Sequence, residues 1–190
     1  MKLATTTIET PLGRYALVAS EAGLIQAEPA VAAPPACGAA SPGAERMLAR
    51  ARAAFERYFA GATDALAALP VDPRGSEFRR RVWRALREIP LGTTASYGEI
   101  ARRIGRPGAA RAVGDANRRN PIAIAIPCHR VIGGDGRLVG YAGGLERKRW
   151  LLAHEAAYSE RTAYAASSNG PEGQPPVALA RRRISAAASI

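Results

Sequence analysis

The sequence predicts a mixed α/β (α+β) protein, in which a small antiparallel sheet precedes a helical domain that contains a helix-turn-helix. Three observations predict this class. The N-terminal residues alternate between apolar and polar side chains around a Pro-Leu-Gly turn, later segments carry apolar residues at helical spacing, and a Gly/Pro turn joins two short helices. With 47% apolar and 23% charged residues, the composition is that of a globular chain and excludes collagen-like, coiled-coil and wholly disordered proteins.

Three short strands are predicted at the start of the chain. Residues 2–9 and 15–20 flank the turn, and residues 23–27 form a third apolar segment. Strands this close together pair with their sequence neighbours, so we expect an antiparallel meander. Residues 28–43 are rich in Pro, Ala and Gly without any period, which indicates a loop.

Each of the helices that follow has a recognisable start. Ser41, followed by a proline, opens a helix that Gly61 ends. Ser76 opens a second helix, which is rich in arginine on its outer faces. Ser96 and Glu99 form a capping box at the start of a third, shorter helix.

A tight turn at residues 105–108 separates this third helix from an Ala-rich helix over residues 109–118. Two short helices joined in this way are typical of a helix-turn-helix. The same pattern is also compatible with a helical hairpin that does not bind DNA.

Residues 122–126 are apolar and lie between two prolines, which predicts a short buried strand that leads directly to Cys128. A Gly-rich turn within residues 131–139 predicts a hairpin. A last helix is expected from residue 145 to about residue 157.

The chain is therefore divided into an N-terminal domain at 1–70, a second domain at 71–158 and a disordered tail at 159–190. The net charge of +11 is concentrated in the second domain, because residues 72–158 contain 17 basic and 8 acidic residues. Such an excess favours binding to a polyanion such as nucleic acid. An arginine-rich surface without that role would have the same composition.

The cysteine and histidine counts exclude several classes of protein. Two cysteines and two histidines do not build a disulfide scaffold or the usual zinc modules, so we expect no metal and no cofactor. No apolar run approaches the ~18 residues of a membrane span, and the first twenty residues resemble a strand rather than a leader. We expect a cytoplasmic protein with no membrane association.

Cys128 and His129 are the candidate reactive residues. A thiol is nucleophilic as the thiolate, so it needs a base or a positive charge nearby. His129 is adjacent, and Glu155 on the last helix is a candidate to orient it. Spacing alone leaves open that Cys128 is a small buried residue and His129 a structural histidine. Cys37, in the Pro/Ala loop, is treated as incidental.

The segment around the cysteine resembles the active-site signature of the O6-alkylguanine-DNA alkyltransferases. The resemblance covers residues 78–155 and is loose over residues 1–70, where that family has a small ribonuclease-H-like sheet domain. It implies a winged-helix-like domain with a helix-turn-helix in the second half. The matching motifs are Val82-Trp83, Ser96-Tyr97-Gly98-Glu99, Ala109-Ala110-Arg111-Ala112-Val113-Gly114, Asn120-Pro121, Ile126-Pro127-Cys128-His129-Arg130-Val131, Gly140-Tyr141-Ala142-Gly143-Gly144, Lys148 and His154-Glu155.

The resemblance implies DNA repair by direct reversal. Cys128 would take an alkyl group irreversibly from O6 of guanine, and by extension from O4 of thymine, once per protein molecule. His129 would act on the thiol through a water and Glu155 would hold His129. Asn120 would order the cysteine loop, and Tyr97 would assist base flipping and donate a proton to the leaving guanine. The residues expected to line the pocket are Val131, Tyr141 and Ala142.

The resemblance also implies how DNA is bound. Arg111 would enter the base stack from the minor groove of double-stranded DNA, and the small residues Ala109, Ala110 and Ala112 would let the helix approach closely. Arg118 and Arg119 are expected at phosphates. Repulsion between arginine-rich faces predicts a monomer.

This sequence departs from parts of the family's pattern. Ala142 stands where some members have serine, and the chain lacks the metal-binding residues of other members. Two other functions remain open: a lesion-binding protein without alkyl transfer, against which Cys128 argues, and a cysteine hydrolase with multiple turnovers.

Overall fold

The computed structural model describes residues 2–30 and 39–167. The N-terminal half contains a three-stranded antiparallel sheet in the order β1-β2-β3, so the predicted meander is confirmed. Its strands are β1 (Ala4–Thr10), β2 (Gly13–Ala19) and β3 (Leu24–Pro29). Gly13 sits at a φ of +97° in the β1–β2 turn, a conformation that glycine adopts without steric penalty.

One long helix, α1 (Pro42–Phe59), packs on this sheet. The Ser41 hydroxyl accepts a hydrogen bond from the Ala44 amide at 3.2 Å, as its predicted capping role requires. Ala51, Phe55 and Tyr58 are buried and share the core with the strands. The helix therefore presents its apolar face to the interior and its charged residues to solvent.

The second half is mainly helical, and its predicted starts are confirmed. Ser76 caps α2, and both hydrogen bonds of the Ser96–Glu99 capping box form at α3. The two helices of the predicted helix-turn-helix, α3 and α4, pack against each other and against α2. The elements are α2 (Glu77–Arg87), β4 (Ala95–Ser96), α3 (Tyr97–Arg103), α4 (Ala110–Arg118), β5 (Val131–Ile132) and α5 (Leu145–Ser167).

The predicted strand at residues 122–126 is wrong. The segment folds into a tight turn, in which the Ile126 amide donates to the Ile122 carbonyl at 2.9 Å. Ile124 adopts a φ of +73°, which is unusual for a β-branched residue. Apolar residues are equally compatible with a buried turn, and the buried side chains of Ile122, Ile124 and Ile126 explain why the sequence resembled a strand.

The predicted hairpin at residues 131–139 is also not formed as a strand pair. β5 instead pairs in parallel with β4, joining Ala95 to Val131. The Gly133 amide still donates to the Arg137 carbonyl at 2.9 Å across the glycine-rich turn. Parallel pairing joins residues far apart in sequence, so local alternation does not reveal it.

The last helix is longer than predicted, because α5 continues to Ser167 rather than ending near residue 157. Residues 159–167 are therefore helical and not part of a disordered tail. Residues 168–190 and Cys37 lie outside the described residues. Within the described part of the chain, no helix combines the length and hydrophobicity needed to cross a bilayer.

The two halves share one hydrophobic core. Backbone hydrogen bonds also join them: the Ala27 amide donates to the Pro121 carbonyl at 2.9 Å, and the Ala123 amide donates to the Ala27 carbonyl at 2.8 Å. β3 thereby anchors the segment that leads to Cys128.

Candidate active site

A cavity of about 310 Å³ opens beside Cys128. It lies between α3, α4 and the backbone at residues 140–142, and the Cys128 side chain forms part of its wall. Its lining residues are Tyr97, Gly114, Asn117, Arg118, Cys128, Gly140, Tyr141 and Ala142. Cavities of this size are typical of sites for small organic groups.

Asn120 organises the loop that carries the cysteine. Its side-chain nitrogen donates to the Ile126 carbonyl at 2.8 Å and to the Cys128 sulfur at 3.2 Å. Its side-chain oxygen accepts from the Ile122 amide at 3.1 Å. One side chain therefore holds both ends of the turn and places a hydrogen-bond donor on the sulfur.

His129 is completely buried and pairs with Glu155. Its Nε2 atom lies 2.9 Å from Oε1 of Glu155. An ionised carboxylate only accepts hydrogen bonds, so Nε2 carries the proton and Nδ1 keeps its lone pair. Nδ1 is buried and has no hydrogen-bond partner among the described residues. The geometry thus leaves one nitrogen of His129 able to accept a proton.

Glu155 is ionised because positive groups surround it. Arg130 donates from Nε to Oε2 at 2.8 Å and from a terminal nitrogen to Oε1 at 3.0 Å, and the Tyr58 hydroxyl donates to Oε1 at 2.9 Å. Burial alone raises the pKa of Glu155, but the hydrogen bonds from His129 and Arg130, together with the charge of Arg130, outweigh burial and hold that pKa at about 2.

The Cys128 thiol is protonated in this resting arrangement. Burial raises the pKa of the thiol, while the Asn120 hydrogen bond and the positive charge of Lys148 oppose that rise. Burial also lowers the pKa of His129, which keeps its imidazole neutral. The site therefore holds a neutral thiol together with a neutral base.

Lys148 is a buried cation near this cysteine. Its ammonium donates to the Val131 carbonyl at 2.5 Å and to the Val139 carbonyl at 2.6 Å. Burial lowers the pKa of Lys148 to about 8. Lys148 thus ties the backbone just after the cysteine to the backbone at the cavity wall.

Two neighbouring polar side chains, Tyr97 and Asn117, line the cavity. The Tyr97 hydroxyl donates to the Gly140 carbonyl at 3.3 Å, and burial raises the pKa of Tyr97. Asn117 lies close enough to Tyr97 to lower that pKa, yet neither of its buried amide atoms makes a hydrogen bond within the described residues. Tyr97 and Asn117 therefore give this part of the cavity wall a polar character.

The exposed face of α4 borders a second, more open depression of about 660 Å³ next to the first. Arg111 is exposed at its edge, with Ala110 and Ala112 beside it on the helix. Arg118 and Arg119 both pair with Asp115, at 2.9 Å and 3.0 Å. Asp115 therefore neutralises part of the charge that these two arginines offer.

The structure brings most of the predicted site residues together. Asn120 and Cys128 form one hydrogen-bonded pair, His129 and Glu155 form a second, and the two pairs meet where Cys128 and His129 adjoin in the chain. Tyr97, Tyr141 and Ala142 line the adjacent cavity. Val131 is fully buried and is not among the cavity's lining residues.

Sequence reasoning missed Tyr58, Arg130 and Asn117, and gave Lys148 no role. Arg130 and Lys148 lie in the motifs that carry the resemblance, so their positions were the available signal. Tyr58 looks like any other apolar-face residue of α1, and nothing in the sequence links it to Glu155.

Comparison with known proteins identifies the family. Residues 77–157 match the profile described as "6-O-methylguanine DNA methyltransferase, DNA binding domain", and residues 3–73 match the profile of its "ribonuclease-like domain". The chain belongs to the 6-O-methylguanine DNA methyltransferase family. The expected fold, a small ribonuclease-like sheet domain followed by a DNA-binding domain, is confirmed.

Relatives of this methyltransferase family match a little over half of this chain. A methylated-DNA–protein-cysteine methyltransferase of Mycolicibacterium paratuberculosis is 60% identical over 113 residues, which cover 54% of this chain and 68% of the relative. The corresponding protein of Methanosarcina acetivorans is 52% identical over 60% of this chain and 72% of its own length. A Shigella flexneri relative is matched over 59% of its length.

Solved structures of the family cover more of the chain. The Mycobacterium tuberculosis O6-methylguanine methyltransferase has a TM-score of 0.70 and 43% identity, and the match covers 85% of this chain and 99% of that one. The M. tuberculosis OGT in complex with DNA has a TM-score of 0.68 and 45% identity, over 80% and 92% of the two chains.

Proposed function

We propose that this protein repairs alkylated DNA by direct reversal, as a methylated-DNA–protein-cysteine S-methyltransferase. One observation carries the proposal: Cys128 borders a cavity that can hold a base, and the next residue in the chain is a neutral histidine held by an ionised glutamate. The family membership and the names of the relatives support the same reaction.

The reaction begins with deprotonation of Cys128. The thiol gives its proton to Nδ1 of His129, through a water that bridges the two side chains. The imidazolium that results is stabilised by Glu155, while Asn120 and the charge of Lys148 stabilise the thiolate. The sulfur then attacks the alkyl carbon, so that a carbon–sulfur bond forms as the bond from carbon to guanine O6 breaks.

Guanine leaves as an anion unless a proton reaches it. Tyr97 is placed at the cavity to donate its hydroxyl proton to the base, and it regains a proton from solvent afterwards. The thioether does not return to a thiol, because its carbon–sulfur bond is stable to water. Each protein molecule therefore repairs one lesion.

Duplex DNA is the proposed partner, bound through its minor groove by α4. A stacked base cannot reach Cys128, so the lesion must swing out of the helix, at a few kcal/mol. Arg111 is exposed at the edge of the site and makes no ion pair within the described residues. Its side chain is therefore suited to fill the gap that the flipped nucleotide leaves in the base stack. Ala109, Ala110 and Ala112 allow close approach, and Arg118 and Arg119 reach phosphates.

We further propose that the protein acts as a monomer in the cytoplasm. O4-alkylthymine is a second substrate, since it presents the same alkyl–oxygen bond to the thiolate. Neither bound metal nor cofactor takes part in the proposed step.

The test is a stoichiometric labelling experiment. Protein is incubated with an excess of duplex DNA containing O6-methylguanine, and its peptides are weighed by mass spectrometry. We expect one methyl group on the Cys128 peptide and no repair by Cys128→Ser. Cys37→Ser, which removes the other cysteine, serves as the matched control and repairs DNA normally.

Two outcomes would contradict the proposal. Repair of many lesions per molecule with unmodified Cys128 would indicate a hydrolase-type enzyme. Tight binding to the lesion without any methyl transfer would instead indicate a lesion-recognition protein.

A further inference from the structure

The N-terminal domain places a hydroxyl group on the carboxylate of the second domain. Tyr58, near the end of α1, donates to Oε1 of Glu155 at 2.9 Å, although 97 positions separate the two residues. Tyr58 is 1% exposed and Glu155 is completely buried. The contact is therefore shielded from water, where a hydrogen bond is strongest.

Tyr58 is also held firmly in place. Its ring packs edge-on against Phe59, with 5.3 Å between ring centroids and an interplanar angle of 89°. Its carbonyl oxygen accepts a hydrogen bond from His154 Nε2 at 2.7 Å. Since His154 lies one residue before Glu155, the backbone and the side chain of Tyr58 are fixed to the same turn of α5.

Oε1 of Glu155 is the atom that three donors share. His129, Arg130 and Tyr58 all point to it. Arg130 binds both oxygens of the carboxylate, whereas Tyr58 binds only Oε1, the oxygen that also contacts His129. Tyr58 supplies the contact that aims Oε1 at His129.

We propose that Tyr58 is a positioning residue for alkyl transfer, which makes the N-terminal domain part of the reaction machinery. The proposal rests on the function proposed above. Tyr58 does not touch the substrate or the reacting atoms. It acts through Glu155, by keeping the carboxylate in the orientation in which His129 presents Nδ1 as the base.

Loss of the hydroxyl has a predictable sign. The hydrogen bond and the charge of Glu155 both raise the pKa of His129, so a carboxylate that is no longer aimed at His129 raises that pKa less. The pKa of His129 then falls, and the weaker base accepts the thiol proton less readily. The other charged groups that influence His129 are Arg130 and Lys148, and Cys128 is its titratable neighbour. Tyr58→Phe replaces none of these three residues.

The experiment compares Tyr58→Phe with Tyr158→Phe. Each variant loses one hydroxyl, but Tyr158 makes no hydrogen bond to the His129–Glu155 pair, and it serves as the matched control. Single-turnover reaction with free O6-benzylguanine is followed over a range of concentrations. We expect the limiting rate constant of Tyr58→Phe to fall about tenfold, with the half-saturating concentration unchanged within twofold.

A second readout does not depend on activity. The chain has only two histidines, so ¹⁵N-histidine labelling gives two side chains to follow by NMR. We expect the titration of His129 to move to lower pH in Tyr58→Phe and to stay in place in Tyr158→Phe. In a Glu155→Gln background, the addition of Tyr58→Phe should have no further effect on rate.

An unchanged limiting rate in Tyr58→Phe overturns the proposal, as does an equal loss in Tyr158→Phe. A loss of rate without any movement of the His129 titration also overturns it, because that result indicates general loosening of the fold. Failure of the wild-type protein to alkylate Cys128 would instead refute the proposed function, while the histidine titrations would still report on Tyr58.

Discussion

Replacement of Asn120 by alanine should affect both the reactivity of Cys128 and the stability of its loop. The change removes the donor to the Cys128 sulfur, the donor to the Ile126 carbonyl and the acceptor of the Ile122 amide. The Ile126 carbonyl keeps the hydrogen bond from the Cys128 amide, but the Ile122 amide is left without a partner. We expect a loss of about 2 kcal/mol in unfolding free energy and a melting temperature lower by about 4–8 °C.

The rate of alkyl transfer should fall as well, for a separate reason. A hydrogen bond to a charged group is worth about 1.5–3 kcal/mol, and Asn120 donates to a sulfur that becomes negative in the reaction. Since ~1.4 kcal/mol corresponds to a tenfold change in rate, the reaction with free O6-benzylguanine should slow by about 10- to 150-fold. The free base is the right substrate because it needs no flipping.

Ser76→Ala provides the control for stability. It removes the cap of α2, where the Ser76 hydroxyl accepts from the Arg79 amide at 3.4 Å, at a cost of about 1 kcal/mol. Its melting temperature should fall while its rate with the free base stays that of the wild type. If Asn120→Ala reacts within twofold of the wild-type rate, the assigned role of its amide is wrong.

Four other predictions follow from the site. Because the pKa of Glu155 is lowered to about 2, its ionised form contributes about 3 kcal/mol to stability above pH ~5, and this contribution is lost as pH falls towards 2. The unfolding free energy of Glu155→Gln, measured with urea, should lack this loss between pH 5 and 3. If the unfolding free energies of wild type and variant fall in parallel over that range, the prediction is wrong. Arg111→Ala should slow repair of duplex DNA at least tenfold yet leave the reaction with the free base unchanged, and equal losses on both would remove its role in flipping. Lys148→Met should slow the reaction at pH 7, because the thiol loses a nearby positive charge, and the rate should recover in part at higher pH. A rate of the variant that does not depend on pH would contradict the role of Lys148 in stabilising the thiolate. Affinity for DNA should fall with salt at a log–log slope of about −0.9 per phosphate contacted, measured by fluorescence anisotropy, and a flat response would exclude a mainly electrostatic interface.

Local signals in the sequence predicted the helices well. Ser41, Ser76 and the Ser96–Glu99 pair each satisfy backbone amides within three residues, and such short-range chemistry is visible in the sequence itself. The segment at 122–126 shows the limit of this approach. Its five apolar residues fit a strand or a buried turn equally well, and the choice is made by hydrogen bonds to β3 and by Asn120, which lie outside the segment.

The candidate site was predictable where it coincides with one compact motif. Cys128 and His129 are adjacent, and Asn120 and Glu155 belong to the same resemblance. Tyr58 was not predictable, because its partner lies 97 positions away and its spacing in α1 is that of an ordinary core residue. Burial and partner identity are properties of the folded chain, so the charge state of Glu155 also required the structure.

The attachment of the cysteine segment to β3 has a consequence for how this protein tolerates mutation. Ala27 is buried in the core, its amide donates to the Pro121 carbonyl, and its carbonyl accepts from the Ala123 amide. A larger side chain there would crowd the core and shift the strand to which the cysteine segment is attached. Position 27 is far from Cys128 in sequence and belongs to the other half of the protein. In a mutational scan that measures DNA repair, position 27 should therefore tolerate almost as few substitutions as the residues around the thiol. The outward-facing positions of the same strand should accept most side chains.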